Sequence, residues 1–86
     1  MRSGGTSLGT VVRWDDAAGG AVIESPDTPG GCWADASVVV HGSSAGEALR
    51  AGQVVELDWT DESAGGLPFS ALRVVPRWDL QATVGG

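Results

Sequence analysis

Residues 9–25 read GTVVRWDDAAGGAVIES. The run at residues 8–14 is rich in Val and Thr, whose branched side chains suit a pleated surface, so it reads as a strand. Asp15-Asp16-Ala17-Ala18-Gly19 then supplies a tight turn, because Asp side chains bond their own backbone and Gly accepts a left-handed turn residue. Residues 21–24 form a second strand. The stretch is therefore a hairpin, and Gly19-Gly20 is not a phosphate loop, since no helix and no Gly-Lys-Ser/Thr follows.

Working outward, residues 25–31 (SPDTPGG) cannot be the middle of a sheet, because two prolines remove donors and the glycines invite turns. Residues 32–40 are expected as a third strand, interrupted by Asp35. Residues 41–49 read as a long loop with one helical turn near its end. From 53 to 60 the pattern alternates: Val55, Leu57 and Trp59 share one face, Glu56 and Asp58 the other. Residues 61–68 (DESAGGLP) form an acidic, glycine-rich loop. Residues 69–75 are the fifth strand, ended by Pro76. Residues 1–7 read as a loose leader and 77–86 as a tail. Five short strands without a long helix would leave exposed edges if laid out flat. The expected fold is all-β: a five-stranded antiparallel barrel of the oligonucleotide/oligosaccharide-binding (OB) type over residues 8–76.

The chain has 86 residues, a net charge of −6, five arginines and no lysine. A domain of this size buries only about 60–65% of the surface its unfolded chain exposes, so its core is small. Nucleic-acid binders ordinarily carry Lys and Arg for the phosphates, and the balance here points the other way. A single cysteine, Cys32, leaves no internal disulfide and no cysteine cluster for a metal; it reads as a small core hydrophobe. No apolar run approaches the roughly 18 residues of a membrane span, and MRSGGTS lacks the apolar segment of a secretion signal. The expectation is a soluble, cytoplasmic, non-membrane protein with no cofactor.

The pattern resembles the bacterial cold-shock protein family, a single-domain OB barrel. Gly9-Thr10-Val11 is similar to the family's first strand, and Arg13-Trp14-Asp15 falls where it has Trp-Phe-Asn. Leu49-Arg50-Ala51-Gly52-Gln53-Val54-Val55-Glu56 resembles its Leu-x-x-Gly-Gln-x-Val-x-Phe element, and Ala71, Val74 and Pro76 its closing run. The resemblance implies a single-strand-binding surface carried by two aromatic motifs. In the first, Lys-Gly-Phe-Gly-Phe-Ile, this chain has Ala18-Gly19-Gly20-Ala21-Val22-Ile23. In the second, Val-Phe-Val-His-Phe, it has Cys32-Trp33-Ala34-Asp35-Ala36. The implied binding residues are thus Arg13, Trp14, Val22, Trp33 and Asp35, with Trp14 and Trp33 at outer-face positions.

Stacking on an aromatic platform contributes about 1–3 kcal/mol per base, so losing most of the platforms removes several kcal/mol. Asp35 adds repulsion toward phosphate. Two functions follow. One is weak, salt-dependent binding of single-stranded RNA or DNA through Arg13, Trp14 and Trp33. The other is an acidic barrel that docks on a basic protein partner through the same tryptophans. Arg13 serves either as a phosphate contact or as a partner for Asp35. Catalysis and metal binding have no support: His41 beside Ser43 and Ser44 lacks a second ligand motif, an orienting acid and an oxyanion hole.

Overall fold

The structure, a computed structural model, describes residues 4–40 and 49–77. It is a closed five-stranded barrel of strands β1 (Gly4–Asp15), β2 (Gly20–Glu24), β3 (Cys32–Asp35), β4 (Val54–Thr60) and β5 (Phe69–Pro76) in the order β1-β2-β3-β5-β4, with β4 closing on β1. Four of the five seams are antiparallel; β3 and β5 run parallel, pairing Cys32 with Phe69 and Trp33 with Ser70. The expected OB-like all-β barrel is present, with that one seam parallel rather than antiparallel.

Closure depends on β1 serving two neighbours. Residues 4–10 pair with β4 and residues 10–15 with β2, so the strand changes partner around Gly9 and Thr10. A Cβ at Gly9 would stand 2.8 Å from both Glu24 O and Ile23 Cγ2, so glycine is what lets the chain turn this corner. A bulge between Val11 and Arg13 adds bend. The Gly-Gln element locks it: Gly52 takes a φ of 90°, its N–H donates to Val11 O, and Val11 N–H donates to Gln53 O.

Two element boundaries differ from the sequence expectation by more than one residue. β1 begins at Gly4, not at residue 8. Glycine and serine are poor strand formers, but here they pair with residues 58–60, whose edge would otherwise be open. Gly5 also leaves room for the Trp59 indole, whose Cζ2 would lie 3.5 Å from a Cβ at residue 5. β3 ends at Asp35, not at residue 40, because the Asp35 carboxylate accepts from Ser37 N–H and Oγ–H and caps a 3₁₀ turn, Ala36–Val38. The chain then rejoins β5 by a bridge from Val39 to Val74. Trp78, His41 and the expected helical turn near residue 45 lie outside the described residues.

The core holds Val11, Ile23, Val55, Leu57 and Val74, with Ala21, Ala34 and Ala71 as small fillers and Cys32 among them. Trp14, Val38, Trp59 and Phe69 pack against it from the ends, Trp59 and Phe69 edge-to-face at 5.5 Å. The expected inward face of Val55, Leu57 and Trp59 is the observed one, and Cys32 is fully buried as expected. No helix among the described residues is long and apolar enough to cross a membrane.

Candidate functional site

Strand pairing puts three of the five sequence-derived residues in one row across the outer surface. Arg13 on β1 faces Val22 on β2, and Val22 faces Trp33 on β3. The next row reads Asp15, Gly20, Asp35. Asp35 therefore flanks the first row. Trp14 belongs elsewhere: it faces the fully buried Ala21 and packs against the core. Its Nε1–H donates to Asp16 Oδ1 at 2.6 Å. Strand alternation explains the split, since Arg13 and Trp14 are neighbours and point to opposite faces.

Trp33 is half-buried rather than open. A Cβ at Gly20 would stand 2.5 Å from its Cζ2, and a Cβ at Gly65 2.6 Å from its Cδ2 and 2.8 Å from its Cγ. Thus Gly20 lies against the Cε2–Cζ2 edge of the indole, and Gly65 of the β4–β5 loop lies against its Cγ–Cδ2–Cε3 edge. Gly65 has a φ of 57°, and the loop is pinned by reciprocal hydrogen bonds between Ala64 and Leu67. Two glycines, neither in the sequence-derived set, hold the ring. Their signal was present in the sequence: an aromatic position emptied to Gly20, and a Gly65-Gly66 pair in the acidic loop.

Arg13 is tied to a carboxylate, though not the expected one. Its Nη1 bonds Asp15, two residues along the same strand, at 3.2 Å instead of Asp35, whose carboxylate accepts from Ser37. The Ala18 amide and then Arg13 hold the Asp15 carboxyl below the usual carboxylate range; the Ser37 hydroxyl and amide do the same for Asp35. Both are charged at neutral pH. With Glu24 farther along β2, the outer face of β1–β3 carries three carboxylates, Asp15, Asp35 and Glu24, against the Arg13 guanidinium. Asp16 sits in the turn after β1 and accepts from Trp14.

Below the Arg13 row a cleft of about 370 Å³ opens between the β1 bulge, β2 and the β2–β3 loop. Val12 on β1, Val22 and Glu24 on β2, and Thr28 and Pro29 of the β2–β3 loop line it. Sequence reading missed this cleft, because only the fold brings the SPDTPGG loop over β2. Among the described residues, no three His, Cys, Asp or Glu side chains group to hold a metal.

No protein-family model matches the chain, and a comparison with curated proteins also finds no match. What is established is the OB-like barrel; the resemblance to cold-shock proteins rests on the quoted residues alone.

Proposed function

We propose that this barrel is a non-enzymatic binding module that takes a basic protein surface on the outer face of β1–β3. The observation that carries this reading is the pairing of Arg13 with Asp15 on a face that also bears Glu24 and Asp35. The cation that would meet a phosphate is already neutralised, and the carboxylates around it repel a strand within a screening length of about 10 Å. The same charges steer a cationic partner toward the face. Trp33 gives such an interface a rigid, half-buried aromatic anchor of the kind that dominates binding energy.

A second reading, weak binding of single-stranded RNA or DNA, draws on the Arg13–Val22–Trp33 row, which gives a cation and a ring side by side. Its cost is clear: the Gly65 loop covers part of the only ring in that row. The test is a pair of tryptophan-fluorescence titrations of the full chain at the same ionic strength. One uses a labelled peptide of alternating Lys and Gly, the other a pyrimidine-rich oligonucleotide. Saturable binding of the peptide with at least tenfold weaker binding of the oligonucleotide supports the protein-partner reading. The reverse order replaces it with the strand-binding one.

A further inference from the structure

We propose that the cleft between the β1 bulge and the β2–β3 loop is a socket for a lysine side chain of that partner, an inference that rests on the basic-partner reading. Val12 is the residue left over by the bulge between Val11 and Arg13, and it is 40% exposed. With half-buried Val22 and exposed Pro29 it gives the cleft an apolar part on the surface. A four-carbon stem lies along such a surface while its charged end stays polar. Glu24 lines the same cleft and supplies the charge that an ammonium would meet, and it has no ion pair among the described residues.

Two further features fit an ammonium rather than a neutral head. Thr28 lines the cleft, is 1% exposed, and its Oγ1 has no hydrogen-bond partner. A buried hydroxyl of this kind gains from a donor that reaches it, and an ammonium offers three. The nearby cation is also drawn aside. Arg13 reaches along β1 toward Asp15, at the Gly20 end of the hairpin, whereas Glu24 pairs with Thr10 at the other end. The cleft, at about 370 Å³, sits near the lower end of ligand pockets, which run about 300–1,000 Å³. It suits one long side chain and its flanking backbone.

The experiment compares the Lys/Gly peptide on wild type, Glu24→Gln and Asp58→Asn. Both variants remove one exposed or half-exposed charge and keep an acceptor oxygen. Asp58 lies on β4, across β1 from the cleft, and its Asn replacement still accepts from Thr6. The proposal expects Glu24→Gln to weaken binding about three- to fivefold, the upper range for an ion pair near the surface, and Asp58→Asn by less than about 1.5-fold. Equal effects of the two variants overturn the socket while leaving the basic-partner reading intact. No peptide binding by wild type overturns both. Circular dichroism of each variant confirms that the barrel is intact.

Discussion

Trp33 fills the space that a side chain at residue 20 would need: a Cβ there would stand 2.5 Å from Trp33 Cζ2 and closer still to Ala34 O. The two positions are therefore one feature. In the resembled family both are aromatic; here a single indole lies over bare backbone. An aromatic cannot be restored at residue 20 without moving Trp33.

Gly20→Ala is accordingly expected to destabilise the barrel by about 1–3 kcal/mol, the range for forced overpacking. It should also shift the fluorine NMR resonance of fluorotryptophan at residue 33, assigned by its loss in Trp33→Phe. Gly65→Ala should shift the same resonance, with added strain from its φ of 57°. Unchanged stability and an unmoved resonance in both variants would mean that the glycines do not hold the ring.

Leu57→Ala should cost about 2–5 kcal/mol, because Leu57 is fully buried at the centre of a core that includes Val11, Ile23 and Val74. Small domains have only about 5–15 kcal/mol in hand, so the variant approaches unfolding. Urea denaturation showing a loss below about 1 kcal/mol would remove this face from the core.

The alternation that identifies Leu57 shows which parts of the molecule were legible in sequence. Val55, Leu57 and Trp59 carry a period of two that no helix would share, and Gly52-Gln53 before them carries the resemblance to the cold-shock family. The hairpin at 9–25 is equally plain. Gly4 and Gly5 were not legible as strand, because their place in β1 comes from the β4 edge and from the bulk of Trp59, not from their own propensity. Asp35 ended β3 early through a bond to Ser37 that competes locally with the ladder. At the site, Arg13, Val22 and Trp33 came from the resemblance to the cold-shock family, and the strand pairing sets them in one row. The cover of Gly65 and the cleft over Glu24 depend on where two loops land, and no local pattern encodes that.

Acid should loosen the barrel in a defined window. Asp15 and Asp35 both have carboxyls held below the ordinary range. The unfolded chain therefore takes up protons first, and stability rises with pH across that interval. This contribution is complete above the unfolded value of about 3.9 and is lost as pH falls through the lower native values. Urea midpoints taken between about pH 2.5 and 5 should climb less steeply for Asp35→Asn than for wild type. Identical slopes would show that the cap on Ser37 does not bias the titration.

On the alkaline side Cys32 is the group to watch, since the chain has no lysine and no tyrosine. Burial pushes its thiol from 9.0 up to about 11. The unfolded chain ionises first, so stability present below about pH 9 is lost as pH rises toward 11. Cys32→Ala should flatten this decline. At pH 8 a thiol reagent should label wild type only at the rate of opening; immediate labelling would contradict the buried position.

The central claim, that the outer face of β1–β3 receives a basic protein surface, is tested most directly by mapping which backbone amides respond to which ligand. Amide chemical-shift maps of the full chain would be recorded with the Lys/Gly peptide and, separately, with the pyrimidine-rich oligonucleotide, at equal concentration and ionic strength. The account predicts saturable shifts at Val12, Val22, Glu24 and Trp33 with the peptide, and none of comparable size with the oligonucleotide. Saturable shifts at Arg13, Val22 and Trp33 with the oligonucleotide, and none on this face with the peptide, would contradict it.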